Sequence, residues 1–417
     1  MLEILCDVVR GLAALWVFTY HFRPSREGIW LLASVGDLGV PAFFVISGFC
    51  ILSAAQRTRA KNQSALAFLK RRLIRIYPPF WASIIVVLAV PFIIGSFSGY
   101  WVKPLWYSYT WQDWLLVVSL GRIFFGHGQP LYTTFVNVNA VYWSLAIEVQ
   151  FYLVMFAALV WRRHFNRILI GTTIAGFAAL TVPALRSSGL FLAYWPLFSV
   201  GMGLKWVLDR PVPKFWKPGL VAAVAAMVAV IVSDIVAPKA LPDMIYPLVF
   251  ATSIALVLWM VAPLDRHFAF RPLLWLGSIS YSIYLLHTLV SQIPTAALQN
   301  HMTPDTVPFK ALVLVLTLVP IYGFYRLAEK PFISTSRMVR PLGVPLELGG
   351  VVIDLPQVPV GVSRGLVVEM FGRRIPGLTP GRHGSRAHGR TEFDDGDEAV
   401  AAGSVPLFGV GISASSE

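Results

Sequence analysis

Cysteine is almost missing: two residues in 417, Cys6 and Cys50, both inside apolar segments and with no CxxC spacing. A disulfide framework and a zinc site are thereby excluded, and the two read as small packing residues. Charge is scarce as well, at 13% of residues, and negative charge scarcest: 21 Asp plus Glu against 34 Lys plus Arg, a net of +13. In a soluble protein that excess would suggest nucleic acid. Here Lys and Arg cluster in short stretches between apolar runs, the pattern of cytoplasmic retention, and no nucleic-acid partner is expected. There is no phosphate-binding glycine loop, no GxSxG and no repeat of solenoid period. No metal site and no permanently bound cofactor are expected.

What is present is apolar surface. Hydrophobic residues make up 56% of the chain and its mean hydropathy is +0.67, more than a soluble domain of this size can bury. The fold class is an all-α polytopic membrane protein. The first run lacks a basic n-region, carries charges and is followed at once by a second span, so it is expected to stay in the mature protein.

Seven positive charges between the second and third spans, Arg57, Arg59, Lys61, Lys70, Arg71, Arg72 and Arg75, mark a cytoplasmic loop. Working outward from it, about ten spans are expected, near residues 4–22, 36–55, 76–96, 139–161, 168–185, 190–208, 219–236, 244–262, 272–290 and 311–328, with both termini cytoplasmic. Residues 114–125 are too short to cross a core of about 30 Å and are expected to be interfacial or re-entrant. The division is a transmembrane domain over 1–334 and a cytoplasmic, disordered tail over 335–417, where positive and negative charges nearly cancel and no period is sustained.

The first span holds Asp7, Arg10 and His21. Arg10 and His21 are eleven positions apart, roughly 20° from eclipsed on a helix and about 16 Å apart in rise. Asp7, three before Arg10, extends the same stripe. Ionisable groups at bilayer depth cost at least about 2.5 kcal/mol each, so they normally line an interior or a path; snorkelling near the interface would give a similar pattern.

Four other stretches carry polar groups. GVPAFFVISGFCI (39–51) offers Ser47 and Gly48 as a face for close helix packing or a direct role. RRLIRIYPPFW (71–81) sets Arg72 and Arg75 three apart, forks suited to phosphates or an ordinary positive-inside cluster. In YWSLAIEVQFYLVM (142–155), Ser144, Glu148 and Tyr152 share a face, and a carboxylate roughly 13 Å into the span requires a partner. SYSIYLLHTLV (280–290) puts Ser280, Tyr284 and His287 on one face, where a lone histidine is as readily interfacial as functional.

Arg10 with His21, FFVISGF (43–49), RRLIRIYP (71–78), WSLAIEVQFY (143–152), SYSIYLLH (280–287) and YRLAEKPFI (325–333) together resemble the acyltransferase-3 family of integral membrane acyltransferases, in order over residues 1–335. The resemblance implies transfer of an acyl group, commonly acetyl from acetyl-CoA, to a hydroxyl of a carbohydrate, glycolipid or macrolide-like acceptor at the bacterial inner membrane. Some relatives carry a fused SGNH-type domain, absent here, so a stand-alone membrane enzyme is expected. Carried onto this chain, the family's residues fall on Arg10, Arg72 and Arg75 for the acyl-CoA phosphates, and on His21 and Glu148 for catalysis. His21 is expected to act as general base, with Asp7, Ser47, Ser144, Tyr284 and His287 in support. Ideal helical rise sets Glu148 deeper than His21, so contact between them would need a bend, a tilt or a water. A transporter or flippase, or a scaffold with a recruiting tail, is the competing expectation.

Overall fold

The computed structural model describes residues 2–21, 31–98, 104–121, 138–182, 190–208, 216–236, 244–267, 271–304, 306–333, 347–348 and 351–352. Residues Met1–Pro341 and Leu342–Glu417 are two separate compact units. Of the second, Glu347–Leu348 pairs antiparallel with Val351–Val352. The expectation of a disordered tail otherwise lies outside the described residues.

The first unit is helical. Helix α1 (Glu3–His21) is followed by a 3-10 turn (Ala33–Leu38), α2 (Gly39–Ala60), α3 (Ala65–Ser98) and the short α4 (Trp111–Val118). Then come α5 (Tyr142–Val160), α6 (Phe165–Ala179), α7 (Trp195–Val207), α8 (Trp216–Val236) and α9 (Ile245–Val261). The last group is α10 (Arg271–Ser278), α11 (Ser280–Val290), α12 (Gln292–Leu298) and α13 (Val307–Phe324), which runs on into a π-helical turn, Tyr325–Glu329.

Among the described residues, seven helical stretches are long and apolar enough to cross a membrane, or eight if α10 and α11, bent by 69°, count as one. Ten were expected. The difference lies in α6 and α7, of 15 and 13 residues, which reach only about 20–23 Å against a core of about 30 Å. Apolar composition there continues past the helix ends, so hydropathy overstates their length. Helix α4 has eight residues and starts on a capping box between Thr110 and Asp113. It is about 12 Å long, too short to cross, as expected; residues 122–125 of that segment lie outside the described ones. Val221, Val224, Val228 and Val232 on α8 are exposed, an apolar stripe suited to hydrocarbon rather than water.

The basic loop is a correction. Helix α2 continues to Ala60 and α3 starts at Ala65, so Lys61–Ser64 alone is the turn, and Arg57, Arg59, Lys70, Arg71, Arg72 and Arg75 are helical. Lys and Arg are good helix formers, and both helices simply outrun the apolar run. With 34 residues α3 is about 51 Å long, well beyond the hydrocarbon thickness.

Two close crossings set the bundle. At the first, a Cβ on Gly48 of α2 would stand 2.1 Å from the Phe198 carbonyl oxygen, and one on Gly201 of α7 would stand 1.9 Å from that of Val45. Backbones this close exclude any side chain, which accounts for the small face expected at Ser47 and Gly48. Around it the rings of Phe44 and Trp195 meet Phe151 edge-to-face, and Phe151 lies tilted against Phe198 at 4.3 Å. At the second, Gly277 of α10 lies against the Asp7 backbone of α1, which brings α11 alongside α1.

Candidate active site

Helices α1, α2, α3, α5 and α11 border a cleft lined by Arg10, Ser47, Arg72, Arg75, Ser144, Glu148 and Tyr284 among others. Three guanidiniums and one carboxylate in a mostly apolar wall leave an excess of positive charge suited to an anionic ligand.

Each helix delivers its polar face as its spacing requires. Arg10 donates from Nη1 to Asp7 Oδ1 at 3.0 Å, one turn back, and its Nη2 lies 3.7 Å from Cys50 Sγ. Arg72 Nη2 donates to the Cys50 carbonyl at 3.4 Å. On α5, Glu148 accepts from Tyr152 Oη at 2.8 Å and from Ser47 Oγ at 3.3 Å, while Ser144 Oγ and Tyr284 Oη are 2.6 Å apart. The shared face of Ser144, Glu148 and Tyr152 is thus observed, and it looks into the cleft with the arginines.

His21 is elsewhere. It ends α1, eleven residues beyond Arg10, and does not line the cleft. Its Nδ1 lies 2.9 Å from the Val17 carbonyl and 3.1 Å from Nε2 of His287, which is fully buried. Glu148 is bonded within the cleft and not to His21. Helix α11 links the two regions. Tyr284 lines the cleft, and His287, one turn on, has its ring centroid 6.1 Å from that of Tyr284.

Two acidic residues escaped the sequence reading. Glu329, 4% exposed, accepts from the backbone N–H of Ser282 at 3.1 Å and from its hydroxyl. Asp265, 5% exposed, accepts from the Leu5 N–H at 2.8 Å. Leu5 and Ser282 are both the third residue of their helices, where N–H groups have no partner within the helix. A distant carboxylate therefore caps each of the two helices that carry a histidine, and its charge complements the helix dipole. Glu329 sits in the YRLAEKPFI motif, and an acid next to an apolar span was the available signal. Cys50, read as packing, also borders the cleft.

Among the described residues no group of three or more His, Cys, Asp or Glu could hold a metal ion. The arrangement places three guanidiniums in a cleft at one level and, about 16 Å further along α1, two imidazoles in contact.

The sequence is similar to those of known proteins. The chain is 26% identical to peptidoglycan O-acetyltransferase OatA of Listeria monocytogenes, over 87% of this chain and 63% of that protein. It is 27% identical to the putative membrane-bound transacylase BcsY of Komagataeibacter xylinus, over 67% of this chain and 71% of that protein. It is 26% identical to the putative peptidoglycan O-acetyltransferase YrhL of Bacillus subtilis, over 80% and 56%. The chain thus spans just over half to about two thirds of the OatA and YrhL lengths. No solved structure matches. The acyltransferase-3 family model, an acyltransferase domain, matches residues 6–326, which include the arginine cleft and both histidines, and the chain belongs to that family of integral membrane acyltransferases.

Proposed function

We propose that the protein transfers an acyl group, acetyl first of all, from acyl-CoA to a hydroxyl of a cell-surface carbohydrate. One observation carries this reading: Arg10, Arg72 and Arg75 line one cleft with Tyr284, and the helices that carry Arg10 and Tyr284, α1 and α11, also carry the paired His21 and His287. The guanidiniums bind the CoA phosphates, and the pantetheine arm runs up α1 and α11 past Tyr284. About 16 Å separates the arginine from the histidine, a span the extended arm suits.

His21 acts as general base on the acceptor hydroxyl, a role typically worth about 10²–10⁴ in rate. The hydroxyl oxygen attacks the thioester carbonyl, the carbon–sulfur bond breaks, and the proton passes to the departing thiolate. Glu148, held by Ser47 and Tyr152, serves substrate binding, since no contact joins it to the base. The names of two relatives point to a peptidoglycan glycan as acceptor. The basic turn near Lys61 faces the cytoplasm, where acyl-CoA is made, and His21 faces the outer side of the bacterial inner membrane.

The test supplies the full chain in nanodiscs with radiolabelled acetyl-CoA and a chitin oligosaccharide, a glycan related to peptidoglycan. Label is expected on the sugar with wild-type protein and none with His21→Ala at equal folded amounts. Unchanged transfer in that variant removes His21 as base.

A further inference from the structure

His287 has surroundings that define its chemistry. Phe18 meets its ring edge-on at 5.6 Å. Its Nδ1 lies 2.9 Å from the Ile283 carbonyl oxygen and 3.0 Å from that of Tyr284. Carbonyl oxygens only accept, so these contacts require a proton on Nδ1. A neutral imidazole has one ring proton, which leaves Nε2 of His287 as an acceptor. That nitrogen faces His21 Nδ1 at 3.1 Å, and the Val17 carbonyl faces the same Nδ1 at 2.9 Å. Two acceptors converging on His21 Nδ1 put the proton there. The lone pair of His21 is then on Nε2.

We propose that His287 is a positioning residue of the acyl transfer: by accepting the Nδ1 proton of His21, it holds His21 in the tautomer whose Nε2 is the base. This rests on the reading of His21 as general base given above. The acceptor hydroxyl delivers its proton to Nε2 as its oxygen bonds to the thioester carbon. When the carbon–sulfur bond breaks, the same proton leaves Nε2 for the thiolate. The Nδ1 proton stays between the two rings throughout. An imidazole in this place accepts a hydrogen bond without bringing a second charge, and an ionised partner at bilayer depth would be expensive. Both rings also bond to the carbonyl four residues back in their own helices, so α1 and α11 fix their planes.

The test measures kcat and KM for acetyl-CoA, with a chitin oligosaccharide as acceptor, for the full chain in nanodiscs as wild type, His21→Ala, His287→Leu and His287→Gln. Leucine fills similar space without an acceptor; glutamine brings a carbonyl close to the position of Nε2. His287→Leu is expected to lower kcat roughly 10²-fold with KM for acetyl-CoA nearly unchanged, and His287→Gln to recover about tenfold of it. Equal losses in both variants at matched folded amounts, a loss confined to KM, or wild-type turnover in His287→Leu overturns the proposal. Turnover retained in His21→Ala instead overturns the reading of His21 beneath it. Ring-nitrogen NMR of 15N-histidine-labelled wild-type protein reads the tautomer without any variant: a protonated Nδ1 on His21 is expected, and a protonated Nε2 with bare Nδ1 refutes it.

Discussion

At the scale of single residues, the arginines differ in what holds them. Arg10 is tied to Asp7 and Cys50, and Arg72 leans on the Cys50 carbonyl, so both forks are aimed before any ligand arrives. Arg72→Ala with Arg75→Ala is expected to raise KM for acetyl-CoA at least about tenfold while KM for the acceptor changes little, since a hydrogen bond to a charged group contributes about 1.5–3 kcal/mol. Steady-state kinetics against each substrate checks it. Glu329→Ala strands the N–H and hydroxyl of Ser282 inside the bundle, at a cost of about 1–3 kcal/mol, and a lower thermal midpoint in detergent is the expected reading. The polar stripe of α1 and the face of Ser144, Glu148 and Tyr152 were legible, because helical spacing alone determines which residues share a side. The partner of His21 was not. His287 lies 266 residues away, and a lone histidine near a span end has the same local sequence whether it meets lipid headgroups or another imidazole.

At the scale of elements, backbone approach governs which helices meet. Gly48→Ala puts a methyl 2.1 Å from the Phe198 carbonyl oxygen, a position no rotamer relieves. Loss of the monodisperse peak in size-exclusion chromatography is expected, whereas Gly203→Ala, where nothing lies within 4 Å, keeps it. The existence and order of the helices followed from hydropathy, which responds to composition. Their ends did not, because helix propensity and caps decide those: basic residues prolonged α2 and α3, while α6 and α7 stopped short inside apolar sequence. The 69° bend between α10 and α11 was equally hidden, since residues 272–290 read as one uninterrupted apolar span.

At the scale of the whole molecule, the proposed orientation rests on where the positive charge sits. In a variant free of Cys6 and Cys50, Lys61→Cys is expected to react with a membrane-impermeant maleimide in inverted vesicles and not in intact spheroplasts; the reverse labelling inverts the proposed topology. Deleting residues 341–417, outside the matched family region of 6–326, is expected to leave acetyl transfer intact, as measured in the same labelling assay. The two buried caps have a further consequence, one of timing. Helix α1 is synthesised first, yet Asp265, which caps it, lies 260 residues beyond Leu5, and Glu329, which caps its partner α11, comes later still. At about 5–20 residues per second, the 266 residues from His21 to His287 take about 13 to 53 s to make. For most of that interval the helix that holds Arg10 and His21 has neither its Asp265 cap nor a second imidazole beside it, so the two histidines come together only as the last helices insert.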